Sequence, residues 1–358
     1  MGAASTLALA RRGHDVLALE ARAPGHREGS SHGSTRIVRR SYLDPDYLAM
    51  TGRAFELWRE LEQLAGSHLL TMTGALECGV GREPRRLREA LSAADVPCEL
   101  LSPDAAGERW PQVRPEGEVL YQPDAGVVDP ELAVAEMLRL AREAGARVEH
   151  ETPVVSIEEG AGGVRFHTAA GPITADVVVA AAGPWLSPLL AGVVVLPPLT
   201  VTQQQVFHFA PAEAGRAAGQ APWPVVVYGD GTISVYALPG GSDGLVAGNV
   251  KIAEHNPGPV TTADERDGCI DAAGRRRVVD HVRRSWPGLD PDPVAEYTCL
   301  YTWTPDEGFI LDRVGPIVVC SPCSGHGAKF TPLVGEWVAD LAEGRALPYA
   351  GFGLGRFR

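Results

Sequence analysis

The sequence predicts an α/β protein (α+β in its two-domain layout): a Rossmann-like nucleotide-binding domain with a mixed β-sheet domain inserted into it. Three observations point there. Residues Gly2 to Glu20 read as a helix, a glycine turn and a strand ending in an acid. Two later apolar runs each lead into a glycine-containing turn, and the stretches 70–128 and 197–296 are rich in β-branched residues and turn formers.

The helix comes first. Gly2 to Arg12 has the Ala/Leu composition of a helix, carries two arginines in its last turn, and is closed by Gly13. His14 to Glu20 is then a mostly apolar run of strand length, followed by the breakers Pro24 and Gly25. Together they form the second half of a Rossmann βαβ unit, in which the strand-end acid, Glu20, binds ribose hydroxyls and the helix N-terminus at Gly2 receives phosphate. A G-x-G-x-x-G fingerprint ending at Gly2 would need its first strand and first two glycines before Met1, so the expectation is a Rossmann unit without its first strand. Ala175 to Trp185, with its turn at Gly183, and Gly315 to Cys320 read as further buried strands of that sheet. A helix is expected over Pro130 to Ala144, a three-stranded meander between Arg147 and Thr174, and a final helix near Thr331 to Leu341. The Ala/Gly/Pro-rich segment 212–221 reads as a surface loop. This places the nucleotide domain at 1–69, 129–196 and 297–358, and the substrate domain at 70–128 and 197–296.

Composition narrows the partners. The 358 residues are 45% hydrophobic with a net charge of -13, which suits a soluble two-domain protein and argues against nucleic acid or an anionic membrane as the main partner. A small molecule is expected instead. No run approaches the roughly 18 apolar residues of a membrane span and no signal-peptide core is present, so a cytoplasmic location is expected. The six cysteines are too sparse for a disulfide framework, and Cys320-x-x-Cys323 lacks the second pair that a zinc site needs, so no metal is expected.

Four segments carry more specific information: Gly29-Ser-Ser-His-Gly-Ser-Thr-Arg-Ile-Val-Arg39; Tyr236-Ala-Leu-Pro239 leading to Lys251-Ile-Ala-Glu-His255; Cys299-Leu-Tyr-Thr302 with Asp306 to Asp312; and Ser324-Gly-His-Gly-Ala-Lys-Phe330. In order and spacing they resemble the monomeric sarcosine oxidase and N-methyl-amino-acid oxidase family, FAD-dependent enzymes of the D-amino-acid oxidase-like superfamily. The resemblance implies a nucleotide domain of the glutathione-reductase type and FAD tethered through a thioether at Cys299. It implies that Arg39 and Lys329 grip the substrate carboxylate, that Arg36, His32 and Thr35 lie against the flavin, and that Lys251 promotes oxygen reduction. Tyr236, His255 and Tyr301 would line the substrate side, and Gly183, Gly325, His326 and Gly327 would bring backbone close to the cofactor. Blander readings stay open for each: a buried structural cysteine at 299, a solvated Arg36/Arg39/Arg40 face, an edge-strand Lys251, and core aromatics. A rival register would put Val246 and Val250 at the Lys and His positions.

The implied reaction oxidises a secondary amino acid such as sarcosine to an imine, which water hydrolyses to an aldehyde and a primary amino acid while oxygen becomes hydrogen peroxide. A monomer is expected. Two alternatives remain at this stage: an oxidase of a cyclic or bulkier amine, and a noncatalytic remnant that does not retain FAD.

Overall fold

The computed structural model describes residues 1–160, 163–213, 223–255 and 258–358. Most of the segment read as a surface loop, 214–221, therefore lies outside the described residues. Helix α1 spans Gly2–Arg11, and Gly13 follows with φ 88°, the left-handed conformation that a helix-ending glycine supplies. Arg12 leaves the helix to bridge Glu336 and Asp340 on the C-terminal helix Thr331–Ala342 and Glu343 just past its end. The two helices touch so closely that a Cβ on Gly335 would sit 2.7 Å from the Ala4 carbonyl oxygen.

Strand β1 is Leu17–Leu19, shorter than the apolar run His14 to Glu20, because only these residues find a partner, the parallel strand Arg147–Glu149. That pairing revises the meander, which consists of Val154–Gly160, Gly163–Thr168 and Gly171–Ala175 and does not include Arg147. Val178–Ala180 pairs in parallel with Ile317–Ser321, as two buried apolar runs should, but in a sheet separate from β1. The expectation of one continuous sheet is corrected accordingly: among the described residues no strand bridges the two.

Strand β2 (Arg36–Val38) joins a three-stranded sheet. Helix α2 (Pro45–Ala65) starts at Asp44, whose carboxylate accepts from the Asp46 and Tyr47 amides, and ends at Gly66 with φ 65°. Strand β3 (Leu70–Met72) belongs to the sheet of β2, and β4 (Ala75–Cys78) begins the large one. The large sheet runs in the order Leu289–Trp303, Thr200–Pro211, Val250–Glu254, Ser234–Pro239, Val225–Gly229, β4, Val119–Gln122, Glu99–Leu101. One of its faces packs on the helix Ala272–Ser285 through Val278, Val279 and Val282. No helix among the described residues is long and apolar enough to cross a membrane.

Candidate active site

The Gly-Ser loop ahead of β2 is laced by its own arginine. Arg36 donates from Nη1 to the Thr35 carbonyl at 2.8 Å and from Nη2 to the carbonyls of His32 at 2.7 Å and Ser30 at 3.1 Å. From the opposite side, Lys251 Nζ donates to the same Thr35 oxygen at 2.8 Å. Lys251 sits in the Val250–Glu254 strand, an inner strand of the large sheet paired on both sides, so it is not the edge lysine that composition alone would suggest. Burial, reinforced by Arg36, lowers its pKa to about 7, while Asp243 pulls the other way. Asp243 itself accepts from the Ser34 amide at 2.7 Å. His32 is held down to about 3, by burial and then by Arg36, so its imidazole is neutral at pH 7. Its Nε2 and the Thr35 hydroxyl are buried without a hydrogen-bond partner among the described residues.

Cys299 lies on the long strand Leu289–Trp303 and packs with Val206, Ala253, Tyr236, Tyr297 and Tyr301. Burial raises its thiol pKa, with Arg36 and Lys251 opposing. Burial also pushes Tyr301 up to about 12 and Tyr236 well above the ordinary phenol value, so both stay protonated donors. Gly325, at φ 76°, lets the loop approach this wall: a Cβ there would lie 2.6 Å from the Tyr301 ring and 3.0 Å from His255. His255 is lowered to about 4 by burial and then by Arg39, Arg82 and Lys329.

Those three cations define the far end. Lys329, almost fully buried, donates to the His326 carbonyl at 2.7 Å and to the Tyr42 hydroxyl at 3.1 Å. Burial, then Arg39, pulls its pKa well below that of a free lysine. Trp58 on α2 fixes this turn by donating to the Lys329 carbonyl at 2.8 Å. Arg39 lies over the Tyr42 ring at 5.0 Å and uses Nη1 for the Ser41 carbonyl, the Ser41 hydroxyl at 2.9 Å and Glu77 at 3.1 Å. Its Nε and Nη2 have no hydrogen-bond partner among the described residues, which leaves one edge of the guanidinium fork open. Glu77, from β4, is wholly buried, and Arg82 reaches it through Nη2 at 2.7 Å and Nε at 2.8 Å. Burial pushes the Glu77 carboxyl up, but Arg39, Arg82 and the Ser41 hydroxyl outweigh it, so its pKa ends below the ordinary value.

One cavity of about 2060 Å³ connects all of this. It runs from Gly2 and Glu20 past Gly183 and Thr35 to Cys299 and Lys251, and on to Arg39, His255, Gly325, His326, Gly327 and Lys329; His32, Arg36, Tyr236 and Tyr301 line it as well. Every residue that the family resemblance assigns to the site is on its wall, whereas Val246 and Val250 of the rival register are not. Tyr42, Glu77 and Arg82 belong to the same site and were not foreseen. Glu77 left one trace, an acid inside the otherwise apolar run Ala75-Leu-Glu-Cys78.

A family model for FAD dependent oxidoreductases matches residues 1–341. The chain belongs to that family. Among curated proteins it is 36% identical over 355 residues to the monomeric sarcosine oxidase of Streptomyces avermitilis, covering 96% of this chain and 91% of that one. It is also 32% identical to the peroxisomal sarcosine oxidase of Homo sapiens, covering 98% and 92%. The family match and the oxidase relatives favour an enzyme over the noncatalytic-remnant reading. The open form of NikD, an unusual amino acid oxidase essential for nikkomycin biosynthesis, superposes with a TM-score of 0.84 at 25% identity, over 97% of this chain and 92% of NikD.

For a member of this FAD-dependent family, the wall suits the cofactor. The first amides of α1 have no acceptor inside the helix and no side-chain cap, which favours an anion at that end. The unpartnered His32 Nε2 and Thr35 hydroxyl offer hydrogen bonds midway, where Arg36 and Lys251 supply positive charge.

The Glu77 cluster carries a stability prediction. Removing one member of a buried ionic cluster costs about 3–5 kcal/mol, so Glu77→Gln is expected to lower Tm by several degrees at pH 7. Because the folded-state pKa of Glu77 is depressed, the stability it contributes is present above the unfolded value of about 4.3 and is lost as pH falls through the folded value. The Tm gap between the two proteins should therefore begin to narrow as pH falls below about 4.3 and close only below the depressed folded value, and a gap that does not change with pH would contradict the assignment.

Proposed function

We propose that this protein is an amine oxidase of the sarcosine oxidase type, acting on an N-methyl amino acid. The observation that carries this reading is the placement of Arg39 and Lys329 at one end of the cavity whose wall holds Cys299 and Lys251. Arg39 and Lys329 bind the substrate carboxylate, the arginine through its open edge, and hold the amine toward the Cys299 and Lys251 side. The same cations that help keep His255 neutral also disfavour the ammonium form of the amine, so the pocket favours the neutral amine that oxidation requires. Tyr236 and Tyr301, both protonated, shape the pocket as hydrogen-bond donors. When bound, FAD supplies the two-electron acceptor for a hydride equivalent leaving the carbon next to nitrogen. The imine takes up water to give an aldehyde and the primary amino acid, and oxygen leaves as hydrogen peroxide. Lys251 favours that last half of the cycle by placing a cation where negative charge builds on oxygen. The similarity to two sarcosine oxidases, at 36% and 32% identity, favours this substrate class over a cyclic or bulkier amine.

Two finer readings accompany it. The large sheet forms the substrate side and the small sheets the cofactor side, a division that departs from 70–128 and 197–296 where Leu70–Met72 and Gly126–Val128 pair in the small sheet of β2 and where Leu289–Trp303 runs past 296. All six cysteines are free, which supports a reducing cytoplasmic compartment, and the name of the Streptomyces relative supports a monomer.

The test is purified, FAD-loaded protein with sarcosine, N-methylalanine, proline and pipecolate. Peroxide release and anaerobic bleaching of the flavin absorbance with the N-methyl amino acids are expected, and silence with all four compounds would refute the reading. The covalent link has its own test. Acid-precipitated wild-type protein should give a yellow pellet and Cys299→Ala a colourless one; a yellow pellet from the variant would remove Cys299 as the tether.

A further inference from the structure

We infer that Arg82 makes this site selective for substrates with a second carboxylate, so that the preferred compounds are N-alkylated amino dicarboxylic acids rather than sarcosine itself. The inference rests on the amine oxidase reading above and deepens it.

The first ground is placement. Arg82 ends the short turn Val80–Arg82 directly after β4, and its direction is fixed at Gly79, where φ is 87° and a Cβ would lie 2.2 Å from the Gly229 carbonyl oxygen. Its guanidinium is thereby delivered to the cavity wall that also presents Arg39, His255 and Lys329. About a quarter of the Arg82 side chain is exposed, whereas Glu77 behind it is wholly buried. Nε and Nη2 are committed to Glu77, and Nη1 has no hydrogen-bond partner among the described residues.

The second ground is charge. A buried carboxylate needs one cation to neutralise it, and Arg39 with the Ser41 hydroxyl already contacts Glu77. Arg82 is a surplus. Arg39 and Arg82 against Glu77 leave one net positive charge on this wall; binding a first substrate carboxylate between Arg39 and Lys329 favours the protonated lysine and so restores that surplus, and an amino monocarboxylate leaves one positive charge unbalanced. A second carboxylate on the substrate side chain balances it, with Arg82 Nη1 as its donor. Glu77 then acts as a positioning residue that holds both arginine forks on one wall.

The experiment compares kcat/KM of the FAD-loaded enzyme for N-methyl-L-aspartate, N-methyl-L-glutamate and iminodiacetate with that for sarcosine and N-methyl-L-alanine. The best dicarboxylate is expected to exceed sarcosine by about 10–100-fold, the range of a hydrogen bond to a charged group, and Arg82→Leu should collapse that ratio through KM. Arg82→Lys should restore part of it. A second readout needs no turnover: titration calorimetry should show succinate or glutarate binding the wild type more tightly than acetate or propionate by a similar factor. Preference of the wild type for sarcosine, equal loss of both substrate classes in Arg82→Leu, or equal binding of mono- and dicarboxylates would each overturn the inference. If none of the amines is oxidised, the functional reading fails, and the calorimetric comparison still decides the role of Arg82.

Discussion

Lys251→Met is expected to slow oxygen consumption by roughly 10²–10³-fold, the usual loss on removing one preorganised electrostatic group, while anaerobic reduction by substrate changes far less. Methionine keeps the apolar stem and bulk, so the inner strand should survive, but the ammonium that donates to Thr35 is gone. The wild type should also show a pH signature that the variant lacks. With the Lys251 pKa lowered to about 7, the cation is present below that pH and is lost above it. The rate of the oxygen half-reaction should therefore fall as pH rises through about 7 in the wild type and stay flat in Lys251→Met. Stopped-flow measurement of the two half-reactions separates the outcomes: equal loss in both would place Lys251 in substrate binding instead.

The second large effect is at the carboxylate end. Arg39→Gln removes a desolvated cation together with the open edge of its fork, a loss of about 2–5 kcal/mol, so kcat/KM should drop by roughly 30- to 5,000-fold. Arg39→Lys should recover only part of it, because an ammonium cannot present two parallel donors and lies differently over Tyr42. If the reading is right, the apparent affinity for simple carboxylate inhibitors falls with kcat/KM. A loss confined to kcat, with inhibitor binding intact, would count against a role in gripping the carboxylate.

Much of this site was legible in the sequence because its motifs are local. Gly29 to Arg39 and Ser324 to Phe330 each pack small residues beside charged ones, and the fold uses them as written, with Arg36 binding its own loop and Lys329 the turn just before it. Lys251 was harder. A lysine in a strand invites an edge reading, and only the pairing of Val250–Glu254 on both sides shows that it is interior. Val246, which the rival register would have used, is exposed. Glu77 was not legible, because its meaning comes from Arg39, a partner 38 residues upstream that reaches it only through folding, and Arg82 takes its meaning from Glu77 in turn. The split of the nucleotide-side strands into two sheets was also hidden, since apolar runs announce buried strands but not which strand each will pair with.

The Lys251 hydrogen bond to Thr35 is also a mechanical seam. It ties an inner strand of the large sheet to the loop ahead of β2, and Asp243 ties the same two regions through the Ser34 amide. A cation tethered across such a seam cannot keep its place if the two sides slide past each other. Loosening the junction at a distance, for example at Asp243, would thus weaken the fold and blunt the reaction with oxygen in the same stroke, so mutational scars in rigidity and in oxidase turnover should track one another along this line.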